Sequence, residues 1–194
     1  MQRRVLILLA TGGLAMGAAA RTTLHVTPQA HAAGTVASGD SWEQATSIPN
    51  AVALAAAAGD CDIVLSNGTY LITATINLAT NTVVRGLGGR ETVFIESANT
   101  CRGFYLNDAD AIVEGVTVRK CSQTTGGGVN IGSRGGTLRD STVTGCSSGG
   151  NGSGGGVYLS GDRATVSRCI VANNQTTSGS GNGFGIYLNR GLVE

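Results

Sequence analysis

Apolar triplets with a polar or aromatic middle residue recur along the chain: Phe104-Tyr105-Leu106, Val129-Asn130-Ile131, Val157-Tyr158-Leu159 and Ile186-Tyr187-Leu188, their first residues 25, 28 and 29 apart. A second apolar series, Val84, Val113, Leu138 and Val166, advances in steps of 29, 25 and 28, and a third, Ile95, Val118, Val143 and Val171, in steps of 23, 25 and 28. The series keep step with one another, so they mark one internal period. Each period holds three strands of three to five residues with in–out alternation, too short to bury a core alone. Stacking each strand on its counterpart one period later closes a core only in a coiled, parallel solenoid. Short strands in every turn exclude a helical solenoid, and a jelly roll or propeller needs longer antiparallel strands.

Upstream of the repeats the pattern changes. Ser47-Ile48-Pro49 reads as an N-cap followed by proline near the first helical position, Ala51 to Ala58 continues as good helix former, and Gly59 ends it. A short amphipathic helix directly before the first strand, Ile63-Val64-Leu65, fits a cap over the solenoid end, where core and strand edges would otherwise be bare. Trp42 is expected to pack under that cap. About five coils follow, which at about 4.8 Å per coil make a rod about 24 Å long. The last triplet is followed by only six residues and no capping element, which predicts either a truncated chain or an open end that pairs with something.

A regular stack brings equivalent residues within about 5 Å, so columns can be read from the spacing. The residues after the second series are Arg85, Glu114, Arg139 and Ser167, a plus–minus–plus run, and the next column adds Asp140 beside Arg168. Glu96 and Arg119 form another opposite pair after the third series. Charges that alternate by coil read as surface ladders worth about 0–1 kcal/mol a pair, whereas catalysis would want an uncompensated acid or base. Cys121, Cys146 and Asn174 share a turn column, where a disulfide or stacked free thiols are both compatible with the spacing, and Cys169 matches the inward positions Val116 and Ser141. The middle residues of the triplets, Tyr105, Asn130, Tyr158 and Tyr187, point outward and form a partly aromatic row on a chain that is only 4% aromatic. Such a row can contact sugar rings or a partner protein, or merely shield its neighbouring strands, and it is the candidate ligand-binding site.

The N-terminus has a different logic. Met1-Gln-Arg-Arg is a positive n-region, Val5 to Gly17 is apolar, and Ala18-Ala19-Ala20 supplies small residues before Arg21. The apolar run is too short for a bilayer span of roughly 20 residues, so residues 1–20 read as an export signal cleaved after Ala20, with Ala32 as a second candidate site. Cleavage removes Arg3 and Arg4 from thirteen basic residues and leaves eleven against twelve acidic, a balance of −1. That balance gives no electrostatic case for nucleic acid or anionic membrane, and no transmembrane segment is expected in the mature chain. Export permits disulfides, but five cysteines leave at least one unpaired, and the absence of C-x-x-C argues against structural zinc.

Nineteen of the 31 glycines follow residue 125, which places the turns and close backbone contacts in the three loops Ser122 to Gly128, Ser147 to Gly156 and Gln175 to Gly185, all leaving the rod on one side. Gly150-x-Gly152-x-x-Gly155 matches a dinucleotide fingerprint by letter without the strand–turn–helix context that would give it meaning. The sequons at Asn67, Asn151 and Asn174 read as turns.

Leu24-His25-Val26, Ser41-Trp42-Glu43-Gln44-Ala45, Gly59-Asp60 and Asn67-Gly68-Thr69-Tyr70, followed by Gly103-Phe104-Tyr105-Leu106 and Gly126-Gly127-Gly128-Val129, resemble right-handed parallel β-helix proteins of the pectate-lyase-like superfamily, closest to bacterial secreted and surface proteins. The resemblance covers roughly Thr23 to Glu194 and implies an all-β, right-handed parallel β-helix with a short N-terminal capping helix. Domain boundaries are then 1–20 for the signal, 21–61 for the N-terminal strand and capping helix, and 62–194 for the β-helix. Enzymes of that superfamily use acidic calcium sites with an Arg or Lys base, or clustered aspartates with a Gly-His-Gly. In this chain both histidines precede the repeats and no Asp pair shares a strand face. Asp108 and Asp110, in the turn Asn107-Asp108-Ala109-Asp110, are weak metal candidates, and Lys120 or Arg119 has the chemistry of a base. The expectation is an exported, non-catalytic module without a cofactor, acting at a surface or on polysaccharide or a surface protein, and located extracellularly, at the cell surface or in the periplasm. The alternatives are a polysaccharide lyase or hydrolase, and a fragment of a longer surface protein.

Overall fold

The computed structural model describes residues 21–150, 152–177 and 181–194. The expected signal, residues 1–20, and the sequon residue Asn151 lie outside them. Strand β1 (Thr22–Val26) is followed by one helical turn, α1 (Pro28–Ala32), and then α2 (Ile48–Ala58). A first layer runs through β2 (Cys61–Leu65), β3 (Gly68–Leu71) and β4 (Ile76–Leu78), and a second through β5 (Thr82–Gly86), β6 (Val93–Glu96) and β7 (Phe104–Leu106). The third layer contains β8 (Ile112–Glu114), β9 (Thr117–Arg119), β10 (Ser122–Gln123) and β11 (Val129–Ile131). The fourth contains β12 (Gly136–Arg139), β13 (Thr142–Thr144), β14 (Ser147–Ser148) and β15 (Val157–Leu159). The fifth contains β16 (Ala164–Ser167), β17 (Ile170–Ala172), β18 (Gln175–Thr176) and β19 (Ile186–Leu188), after which comes β20 (Leu192–Val193).

Every strand pairs in parallel with its counterpart in the adjacent layer. The first sheet has the order β1-β2-β5-β8-β12-β16-β20, the second joins β3, β6, β9, β13 and β17, and the third joins β4, β7, β11, β15 and β19. Order in the sheet equals order in the chain, which defines a parallel β-solenoid. Five stacked strands make four steps, so the coil completes about four turns instead of five. The five-stranded sheets are therefore about 19 Å long, and β1 and β20 extend the first sheet by one strand at each end. The glycine-rich segments also differ from simple loops: β10, β14 and β18 stack as a fourth sheet before each chain segment turns back.

The expected columns are in register. Ile63, Val84, Val113, Leu138 and Val166 stack inside the first sheet and are buried, as are Tyr70, Ile95, Val118 and Val143 inside the second. Corners are made by one residue in the left-handed region. Between the first and second sheets it is Gly115, Asp140 or Arg168, at φ +67°, +50° and +50°, and after the second sheet it is Lys120, Gly145 or Asn173. A side chain there costs roughly 1–2 kcal/mol of backbone strain, so glycine and asparagine suit the position better than arginine or lysine.

At the N-terminal end, Ile48, Ala51 and Ala55 turn inward from α2 and join the core formed by Leu24 and Val26 of β1 and Ile63 and Leu65 of β2. Gly59 follows the last helical residue at φ +90°, as the sequence indicates, while the Ser47 N-cap makes no side-chain capping bond. Trp42 does not pack under this cap: it is 39% exposed, with its ring edge-on to His25 at 4.5 Å. Under the helix it is the small Ala51 and Ala55 that lie on the core, together with Ile48. Tyr70 joins cap and solenoid, its hydroxyl 2.9 Å from the Val26 carbonyl and 2.8 Å from that of Ser66, and burial pushes its pKa up to about 12. Among the described residues no helix is long and apolar enough to cross a membrane.

Candidate functional site

The outer face of the third sheet carries the row that the triplets predict. Register places Asn77, Tyr105, Asn130, Tyr158 and Tyr187 side by side, one per layer, between flanking residues that turn into the rod. Asn77 is a member the sequence argument missed, although Ile76-Asn77-Leu78 repeats the apolar–polar–apolar triplet 28 residues before Phe104. Tyr158 and Tyr187 are stacked, with ring centroids 5.3 Å apart and planes 10° from parallel. Each ring covers one face of the other, so the pair offers a ligand its edges and its two outer faces. The remaining face of Tyr158 looks toward Asn130, whose short amide breaks the aromatic row.

Tyr105 is held differently. The Arg102 guanidinium lies over its ring at 5.8 Å and donates to the carbonyls of Gly126, at 2.9 Å, and Thr125, at 2.6 Å. Burial lowers the Arg102 pKa from its ordinary value, and Tyr105 partly opposes that shift. The Tyr105 hydroxyl leans over Gly132, where a Cβ would stand 2.7 Å from it. Asn107, next to Leu106 at the strand end, fixes the same turn by accepting from the Arg134 N–H at 3.2 Å.

The charged residues are paired as the columns indicate. Glu114 bridges Arg85 and Arg139, the latter at 2.6 Å, and Arg168 makes a two-point contact with Asp140 at 2.7 Å. The hydrogen bond from Arg168 holds the Asp140 carboxyl below the usual range. Arg119 and Lys120 both contact Glu96, Lys120 at 3.2 Å, and Arg119 also lies over the Phe94 ring at 4.0 Å. Burial pushes Glu96 up, but the two cations outweigh it and its pKa is lowered. In the acidic turn Asp108 accepts from the Asp110 N–H at 3.0 Å, and Asp110 faces Arg163 at 4.0 Å. Among the described residues no group of three or more His, Cys, Asp or Glu is placed to hold a metal ion.

Two concavities open on the described surface, the first of them reaching Asn77 at the end of the row. One, of about 160 Å³, is apolar and opens between α2 and β4, lined by His31, Ile48, Val52, Ile72 and Ile76. The other, about 410 Å³ and shallow, follows the first sheet past Arg21, Asp62, Asn81, Arg85 and Asp110, and Arg21 is bound to Asp62 at 2.6 Å. The five cysteines are free: Cys61, Cys101, Cys121 and Cys146 are buried, and Cys169 is half-buried against the core. Comparison of the chain with family models, curated proteins and solved structures finds no significant match.

Proposed function

We propose that the protein is an exported, non-catalytic β-helix module that binds polysaccharide at the cell surface or outside it, through the row Tyr105, Asn130, Tyr158 and Tyr187. The observation that carries this reading is the in-register, outward-facing pair Tyr158–Tyr187, stacked at 5.3 Å on a half-exposed sheet face. Ring edges and outer faces of stacked tyrosines offer apolar contact to the C–H faces of sugars, while Asn130 and the phenolic hydroxyls supply hydrogen bonds. The strand residues of this face carry no charge, which favours a neutral glycan over an acidic one. Kinship with the pectate-lyase-like superfamily and a right-handed winding belong to the same proposal. They rest on the motifs of the opening segment and on the strong preference of parallel crossover connections for one hand.

The test is retention on a glycan array, with calcium and with chelator, alongside absorbance for unsaturated products on any acidic glycan retained. The wild-type chain is expected to be retained without turnover, and the double substitution Tyr158→Ser, Tyr187→Ser to abolish retention while leaving the circular dichroism spectrum unchanged. Equal retention of the variant removes the tyrosine row as the site. A chelator-sensitive unsaturated product replaces binding by lyase chemistry and directs attention to Asp108, Asp110 and Arg119.

A further inference from the structure

Cys121 and Cys146 occupy the same corner in the third and fourth layers. Ser122 and Ser147, the next residues, are register partners, and the Ser147 N–H donates to the Cys121 carbonyl at 2.9 Å. The two α-carbons are thus one strand spacing apart, about 4.8 Å, inside the range of about 4.4–6.8 Å that a disulfide spans. Cys146 turns its sulfur toward the lower layer, where it approaches the Val118 carbonyl at 3.7 Å, and both residues are fully buried. We propose that Cys121 and Cys146 close a disulfide that staples the third layer to the fourth, formed during folding in an oxidising environment.

Cys146 also shares a thiol hydrogen bond with Cys121, and that bond and burial push the Cys121 thiol up. The same bond lowers the Cys146 thiol, but both sulfurs are fully buried and out of reach of an external disulfide once the solenoid has closed, so exchange belongs to the period before the fourth layer is fully packed. The step needs an external low-molecular-weight disulfide. One protein thiolate attacks a sulfur of that disulfide, forming a mixed disulfide and releasing one thiol; the second protein thiolate then displaces the other. Two protein sulfurs are oxidised, two external sulfurs are reduced, and the two thiol protons end on the released thiols. Cys101 occupies the same corner one layer below, with the Ser122 N–H donating to its carbonyl at 3.0 Å, so a Cys101–Cys121 linkage is the competing outcome that peptide mapping distinguishes.

The next residue of the column supplies the control. Asn174 accepts from the Cys146 N–H at 2.9 Å and donates to the Val143 carbonyl at 2.9 Å, the layer-shifted equivalent of the Cys146–Val118 contact. Cys146→Asn therefore removes the thiol while replacing a weak sulfur contact by two bonds that this corner already makes. The protein is denatured under reduction, refolded with oxidised and reduced glutathione, alkylated and digested for mass spectrometry. The expected result is a fall from five thiols to three, a linked peptide joining Cys121 to Cys146, and a melting midpoint that drops by about 10 °C on reduction. Cys146→Asn is expected to fold and to show no such drop. Five thiols after oxidative refolding, a linkage between any other two cysteines, or a reduction-sensitive midpoint that survives in Cys146→Asn each overturns the proposal.

Discussion

Tyr70 shows how much one side chain can tie together. Its ring is fully buried in the core, and its hydroxyl meets carbonyls from β1 and from the turn before β3. Tyr70→Phe leaves those acceptors without that partner and is expected to cost about 1–2 kcal/mol, read from the shift of a urea midpoint at pH 7. The raised pKa adds a pH signature. The folded chain holds this proton more tightly than the unfolded one, whose tyrosine titrates near about 10. The contribution is complete below about pH 10 and is lost as the pH climbs toward the folded value of about 12. Wild type should therefore lose stability more steeply than Tyr70→Phe between those limits; parallel curves would remove Tyr70 from the alkaline transition. At this scale the sequence was only partly legible. The outward row could be read because strand alternation fixes which residue of a triplet faces solvent. Arg102 could not, because it reaches the row from a turn, where no periodicity says which way a side chain points. Trp42 was misplaced for a related reason: a large apolar residue outside any period carries no information about the partner that receives it, which here is His25.

The elements owe their spacing to glycine as much as to apolar residues. A Cβ on Gly127 would stand 2.0 Å from the Ser147 carbonyl oxygen, and one on Gly155 would stand 2.2 Å from that of Gln175, so these segments stack backbone on backbone. Gly149 differs, since its nearest contact would be the Thr177 hydroxyl at 3.7 Å. Gly127→Ala is expected to cost about 1–3 kcal/mol and Gly149→Ala less than about 0.5 kcal/mol, compared by denaturant midpoints; equal costs would mean that the stack yields freely at Gly127. The fourth sheet escaped the sequence argument because its strands, Ser122–Gln123, Ser147–Ser148 and Gln175–Thr176, are two residues long and polar. What marks them is position within the period, not hydrophobicity. The short helix α1 was missed too, although Thr27 caps the Ala30 N–H at 3.1 Å and Pro28 starts the turn, a signature visible in the letters themselves.

Across the whole molecule the strands of each layer pair only with those of the layers beside it, although the Arg90 side chain reaches from the second layer to the Arg168 carbonyl in the fifth at 3.1 Å, so the solenoid is close to a one-dimensional chain of interfaces. The parallel stack was legible in full because three apolar series with one period admit no other arrangement, whereas the number of turns depended on whether strands or the steps between them were counted. Leu138, buried between Val113 and Val166, sits in the fourth layer. Leu138→Ala is expected to cost about 2–5 kcal/mol and to speed amide exchange in the third to fifth layers while β1, β2 and α2 keep their protection. Uniform acceleration along the chain would show instead that the rod opens as a single cooperative unit.

The seven-stranded sheet has a further consequence for how the chain comes into being. Its strands lie in the order in which they are synthesised, and α2 lies between β1 and β2, the first two of them. A chain growing from its N-terminus thus always has a finished edge waiting when the next strand emerges, and no strand must wait for a partner made later. A chain released whole from denaturant has no such precedence: near-identical triplets such as Val157-Tyr158-Leu159 and Ile186-Tyr187-Leu188 can each compete for the edge meant for the other. Vectorial growth resolves by timing an ambiguity of register that the repeats themselves create.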